Sequence, residues 1–285
     1  MTTSYAAGKM LAEVSEGVGL ITFNQPEKRN AMSVAMWQGL SEILDAFGAD
    51  DAIRAVVMTG AGTKAFVSGA DISQFEQTRA DGNAQLEYDR LTSAGRAQLA
   101  AFPKPVIACI RGFCLGGGLG IAMQADLRIA GDSAQFGIPA AKLGIAYSFE
   151  MVERLVSLVG QAHARMITMT GDRMDALEAQ RIGLVNRVVP DEDLTDTVLE
   201  LAKTISANAP LSLRATKQTV NAVMARQDRA AVDAAILACF DSADYREGRT
   251  AFMEKRPARW QGKYQEESSF CEQKEAKKRH PLALC

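Results

Sequence analysis

Apolar residues along this chain follow two alternating rhythms. Short runs over residues 17–23, 54–59, 106–110 and 127–130 are unbroken or alternating, carry β-branched residues and have the length of strands. Between them stand segments with apolar residues at helical spacing. One covers residues 33–44, with Ser33 placed to cap its N-terminus, and another covers 86–101 and stops before Pro103-Lys-Pro105. A short helix is expected from about Gly118 to Gln124. From Asp191 onward the pattern is helical over 191–207, 210–225 and 229–240. The pattern predicts an α/β region over residues 1–190, an all-helical region over 191–262, and a polar, charged tail over 263–285 that is expected to be disordered.

Glycine gathers where two of these strands end. Arg111-Gly-Phe-Cys-Leu-Gly-Gly-Gly-Leu-Gly120 follows the 106–110 strand, and Gly60-Ala-Gly-Thr-Lys-Ala-Phe-Val-Ser-Gly-Ala-Asp-Ile72 follows the 54–59 strand. A strand, a glycine turn and a helix start together aim backbone N–H groups at one point, with the helix dipole behind them. That arrangement suits an anion or an oxyanion, although the same glycines also serve tight turns and close packing. Gly60-Ala-Gly-Thr-Lys-Ala65 matches the G-x-G-x-x-A dinucleotide fingerprint. No amphipathic helix continues from it, and no strand ending in an acid follows about twenty residues on, so nicotinamide binding is not expected.

Composition narrows the chemistry. The 285 residues hold 32 bases and 34 acids, interleaved, for a net charge of −2. Without a basic patch, no nucleic-acid partner is expected. No apolar run reaches transmembrane length, so no membrane partner is expected either. Met1-Thr-Thr-Ser-Tyr-Ala-Ala7 lacks the basic and apolar regions of a secretory signal. Five cysteines (Cys109, Cys114, Cys239, Cys271 and Cys285) have no paired spacing, which suits a reducing compartment and a cytoplasmic location. Histidine occurs only at 163 and 280. A histidine-activated serine nucleophile and a multi-histidine metal site are therefore both disfavoured, and no metal is expected.

The pair Phe66-Val-Ser-Gly-Ala-Asp-Ile72 and Gly112-Phe-Cys-Leu-Gly-Gly-Gly118 resembles the crotonase superfamily, the enoyl-CoA hydratase/isomerase family. Further matches follow in order: Ala134-Gln-Phe-Gly137 with Leu143-Gly144, Leu158-Val-Gly160, Thr170-Gly171, Gly183-Leu-Val-Asn186 with Val189-Pro190, and Glu247-Gly248 through Phe252-Met-Glu-Lys-Arg256. The resemblance runs from about Val18 to Trp260. It implies a crotonase-like spiral of ββα units with an all-helical C-terminal trimerisation region, assembled as a homotrimer or a dimer of trimers. The implied substrate is an acyl-CoA thioester, with coenzyme A part of the substrate and no separate cofactor. Its enolate would be held by the backbone N–H groups of Ala70 and Gly117, donors fixed before the reaction begins. Coenzyme A contacts are implied at Lys28, Ala31, Ala70, Asp71, Ile72 and Lys255. Asp71 is also expected to cap a helix starting at Ile72, and Lys28 with Arg29 reads equally well as a solvated turn after Pro26.

Departures from the family pattern bear on the reaction. Hydratases of this kind carry glutamates at the positions matching Gly120 and Ala140. Without them, syn hydration by a glutamate pair and isomerisation by the second glutamate both lose their acid–base groups. Tyr147 falls where the methylmalonyl-CoA decarboxylase branch has a tyrosine implied to bind a substrate carboxylate, and it reads equally as a core aromatic. Glu150 is either a relocated acid/base or a first-turn helix residue capped from Ser148 and paired with Arg154 at i+4. Ser148 stands where the dehalogenase branch has its aspartate nucleophile, which argues against dehalogenation. Enoyl-CoA hydration or isomerisation, decarboxylation of a malonyl-type thioester, and CoA-thioester binding without catalysis are the readings carried forward.

Overall fold

The computed structural model describes residues 1–71, 82–143, 147–225, 238 and 242–263. Two compact units divide after Asn208. The first opens with an antiparallel meander, β1 (Thr3–Tyr5), β2 (Met10–Ser15) and β3 (Val18–Phe23), followed by helix α1 (Val34–Ala49). Three windings of one unit come next. They comprise β4 (Ala55–Gly60), β5 (Ala65–Val67) and α2 (Gly82–Ala101); then β6 (Val106–Ile110), β7 (Phe113–Leu115) and α3 (Gly117–Ala122); then β8 (Leu127–Gly131), β9 (Gln135–Gly137) and α4 (Phe149–Thr170). The unit closes with β10 (Arg173–Asp175), α5 (Ala176–Arg181), β11 (Arg187–Val189) and α6 (Leu194–Ser206).

Each winding places its first strand in one sheet and its second in another, which is the expected ββα spiral. The larger sheet runs β1-β2-β3-β4-β6-β8-β11 and is parallel from β3 onward. The smaller runs β10-β9-β7-β5, parallel among β5, β7 and β9. Strand alternation explains why β6 is buried on both faces. Val106, Ala108 and Ile110 enter the main core with Met36, Leu40 and Ile43 of α1. Ile107 and Cys109 face the other way, against Leu194, Val198 and Ala202 of α6. Each fully buried large aliphatic side chain there stabilises the fold by about 1.5–3 kcal/mol. At the start of α1 the Ser33 hydroxyl accepts from the Met36 N–H at 3.3 Å, so the expected N-cap forms.

Residue 190 marks the change in composition, but it is not where the units divide. Leu194, Val198 and Ala202 recur at helical spacing and bury against the parallel sheet, so α6 belongs to the first unit despite its all-helical context. The second unit holds α7 (Pro210–Ala225) and α8 (Ala243–Glu254). Ser242 caps α8 by accepting from Tyr245 N–H at 3.1 Å, and buried Asp244 accepts from the N–H groups of Gln261 and Gly262. Apart from residue 238, the helix expected over 229–240 lies outside the described residues, as does the tail from 264. No helix among the described residues is long and apolar enough to cross a membrane.

Candidate active site

Two glycine-bearing turns meet where β5 and β7 end. A parallel bridge pairs Met32 with Ala70: Met32 N–H donates to Gly69 O at 2.8 Å, and Asp71 N–H donates to Met32 O at 2.9 Å. In such a bridge the flanking residues make both bonds, so the N–H of Ala70 itself points to the opposite side. On that side stands Gly117, the first residue of α3. A Cβ built on Gly117 would lie 3.9 Å from Ala70 N. As the first helical residue, Gly117 has no intrahelical acceptor for its N–H. Two sequence requirements bring the turns together. Gly116 has φ 55°, a region open to glycine, and a Cβ at Gly118 would overlap the carbonyl oxygen of Val67.

The surroundings of α3 differ from what the chain pattern alone suggests. A Cβ at Gly120 would meet Met151 Cε at 2.7 Å and Arg96 Cδ at 3.7 Å. Met151 of α4 and Arg96 of α2 thus border the position where the family resemblance expects a glutamate. The Arg96 guanidinium donates to Ser93 Oγ at 3.1 Å and lies 5.8 Å from the centre of the Trp37 ring. Burial pushes its pKa down, while Tyr88, Asp89, Tyr147 and Glu150 pull it back up. A guanidinium keeps its charge under such a shift. Tyr147 packs on the core, and its hydroxyl lies 3.2 Å from where a Cβ on Gly116 would be. Ala140 is a partly buried apolar contact of the same core.

Glu150 does lie in the first turn of α4, but its expected pair with Arg154 is replaced. Arg154 Nε donates to Met123 O at 2.8 Å, drawn inward to a helix-end carbonyl. Bonds from its own backbone N–H and from the Ser148 hydroxyl, with a weaker pull from Arg96, hold the Glu150 carboxyl below the usual range. Ser148 therefore serves the carboxylate of Glu150 and makes no backbone cap bond. Glu150 is exposed and carries its charge at neutral pH.

The segment implied for coenzyme A is built on a residue that chain pattern did not single out. Asn30 is fully buried at φ 57°. Its Oδ1 accepts from Gln25 N–H at 3.0 Å, and its Nδ2 donates to the carbonyls of Ala61 and Ala65 at 3.0 and 2.8 Å. These bonds fix the Lys28–Ala31 turn to the loop before β5. Lys28 Nζ reaches Asp71 Oδ2 at 2.8 Å, with Asp71 only 5 % exposed, so two residues implied for the same ligand form an ion pair. Ala31 is buried, and its N–H donates to Lys28 O at 3.1 Å. Ile72, and with it the helix that Asp71 was expected to cap, lies outside the described residues. Lys255 is in the second unit, exposed at the C-cap of α8 with φ 53°.

Helical spacing held a signal for Arg96 that charge alone obscured. Thr92, Gly95 and Leu99 are buried neighbours on one stripe of α2, and Arg96 sits within that stripe at i+4 from Thr92.

Comparison with known proteins gives this arrangement a family. Residues 13–263 match the enoyl-CoA hydratase/isomerase family model. The chain belongs to that family. It is 37% identical over 255 residues to the short-chain-enoyl-CoA hydratase of Clostridium acetobutylicum, covering 87% of this chain and 95% of that protein. It is 38% identical over 252 residues to the crotonyl-CoA hydratase of Syntrophomonas wolfei, covering 87% of this chain and 96% of that protein. Among solved structures, an enoyl-CoA hydratase/carnithine racemase from Magnetospirillum magneticum superposes with a TM-score of 0.86 at 35% identity, covering 90% of this chain and 96% of the other. The mixed α/β fold with its parallel sheet is the crotonase fold of these family members, and the protein is an acyl-CoA enzyme of this family.

Proposed function

We propose that this enzyme binds an acyl-CoA thioester with its carbonyl oxygen between the N–H groups of Ala70 and Gly117, and works through the thioester enolate. The observation that carries the reading is the Met32–Ala70 bridge, which turns the Ala70 N–H toward the start of α3. Two fixed donors and a helix N-terminus favour negative charge as it develops on oxygen, and need no reorganisation when it does. Lys28, Ala31, Asp71 and Ile72 would hold the coenzyme A portion, and Lys255 its phosphates. Relatives named for enoyl-CoA hydration place enoyl-CoA thioesters first among the substrates to test. On such substrates Tyr147, Glu150 or ordered water would carry the protons that Gly120 and Ala140 cannot.

A second reading starts from glycine and alanine standing at those two positions. Decarboxylation of a malonyl-type thioester forms the enolate with no base. The bond between Cα and the carboxylate breaks, its electron pair passes into the thioester enolate, carbon dioxide leaves, and a proton is then added at Cα. Tyr147, whose hydroxyl faces Gly116, would orient the carboxylate or supply that proton. Mass-spectrometric product analysis on crotonyl-CoA and malonyl-CoA decides between the two, with NAD binding measured in parallel. Thioester binding without any product would leave a binding protein, and no binding would refute the acyl-CoA reading. Assembly as a homotrimer or dimer of trimers belongs to the same proposal. Exposed Phe149, Met166 and Met169 on α4 are apolar surface that assembly would cover, and the mass of the protein in solution tests this.

A further inference from the structure

Arg96 has no place in the reaction derived so far, yet it stands at the acyl side of the site. Gly117 and Gly120 are three residues apart on α3 and so lie on one face, with Cβ positions about 5–6 Å apart. A thioester oxygen held at Gly117 therefore directs its acyl chain past Gly120 within a few bond lengths. The side chain met there belongs to Arg96. Arg96 Cδ is 3.7 Å from the Cβ position of Gly120, and its guanidinium lies one bond beyond. The walls beside it, Met151 and Trp37, are buried and apolar, which strengthens any charge pairing made between them. Among the described residues, the acids that act on Arg96, namely Asp89 and Glu150, are both exposed.

We propose that Arg96, with the Tyr147 hydroxyl beside Gly116, selects acyl-CoA thioesters whose short acyl chain ends in a carboxylate. The inference rests on the acyl-CoA reading, extends its malonyl-type alternative to the next longer chain and adds Arg96 as the residue that sets the preference. A guanidinium presents a planar fork that matches a carboxylate with two parallel hydrogen bonds, whereas a neutral chain end would leave the cation facing hydrocarbon. The distance along α3 fits a carboxylate one or two methylenes from the thioester carbon, a malonyl or succinyl chain.

Equilibrium binding tests this, and the succinyl pair is the arm that the proposed decarboxylation would not consume. Malonyl-CoA is compared with isovaleryl-CoA, and succinyl-CoA with 4-methylpentanoyl-CoA; each neutral chain has nearly the shape of its charged partner. The wild-type protein is expected to favour the carboxylate of each pair by about tenfold or more, the scale of a charge-assisted hydrogen bond. Arg96→Met should remove most of that preference, and Arg96→Lys, which keeps the charge but not the fork, should retain more of it than Arg96→Met does. A wild-type ratio of one or below overturns the proposal even if no variant folds, as does an unchanged ratio in folded Arg96→Met. Binding of both members of a pair without preference removes this inference alone. Failure of every thioester to bind removes the acyl-CoA reading and this inference with it.

Discussion

Replacing Gly117 with proline deletes one proposed oxyanion donor and puts the ring Cδ on the nitrogen in its place. Proline is well accommodated at the first position of a helix, where its fixed φ suits the turn and the missing N–H breaks no helical bond. Its Cβ would meet Ala70 N and Gly69 C at 3.9 Å, ordinary contact distances. Losing one such donor costs about 10²–10³ in rate, or about 2.7–4 kcal/mol. At 1.36 kcal/mol per pK unit this raises the pKa of a bound thioester enolate by about 2–3 units. Acetoacetyl-CoA reports that pKa directly, because its enolate has its own ultraviolet band that can be titrated on the protein. The assay needs no knowledge of the natural reaction. Gly117→Ala keeps the N–H and places a Cβ at the same 3.9 Å, so it accounts for the bulk added at Cβ. A folded Gly117→Pro protein with unchanged enolate pKa and turnover would refute the assignment of this donor.

With Gly120 and Ala140 unable to move protons, crotonyl-CoA hydration should run far below a diffusional kcat/KM of about 10⁸–10⁹ M⁻¹s⁻¹, and a value near that ceiling in stopped-flow assays would reveal an overlooked acid pair. Tyr147→Phe should lower turnover by the worth of one hydrogen bond, about 0.5–3 kcal/mol, while leaving free coenzyme A affinity intact; if only Glu150→Gln loses activity in parallel kinetics, the relocated carboxylate is the better mechanism. Lys28→Ala should lower the denaturation midpoint, because its partner Asp71 is only 5 % exposed, while weakening coenzyme A in calorimetry; intact affinity would make Lys28 a structural partner of Asp71 alone. Arg256 and the Arg259 N–H depress the Glu247 carboxyl to about 2 from 4.5, so its stabilisation is complete above about pH 4.5 and is lost as pH falls through about 2. Denaturation midpoints of Glu247→Gln should fall below wild type at neutral pH and converge with it in acid, and parallel pH curves would contradict this.

Much of the framework was legible because its signals are local. β6 is an unbroken apolar run buried on both faces, Ser33 is a cap residue that caps, and Gly116 and Gly118 mark a turn that a side chain does not suit, by its positive φ at one and by the Val67 carbonyl at the other. Long-range contacts were legible only in outline. The glycine motifs located both ends of the candidate oxyanion site, yet the bridge that orients Ala70 depends on Met32, which lies far from it in sequence and carries no chemical signal. Asn30 reads as a turn residue until its three hydrogen bonds are seen, and Arg96 reads as surface charge on an amphipathic helix. The division after Asn208 was hidden for a related reason. Composition records that α6 is a helix, but not that its apolar stripe completes the core of the sheet.

Gly120 and Ala140 at the acyl side of the proposed site bear on the choice of reaction. A carboxylate beside a forming enolate must remain able to take and return a proton, which requires a pKa near the working pH. Glu150 is held in the opposite condition: its own N–H and the Ser148 hydroxyl stabilise the charged form, and solvent reaches it freely. Supplying protons at neutral pH is a poor task for such a group. What borders Gly120 instead is Met151 and the Arg96 stem, and a guanidinium there would attract an anionic acyl group but could not take up the Cα proton of a neutral one. An enolate reached by losing carbon dioxide needs only the oxyanion donors, a group to hold the departing carboxylate, and one proton afterwards. Ala70 with Gly117, Arg96 and Tyr147 are the groups proposed for those three tasks, so the proposed decarboxylation would run without a glutamate pair.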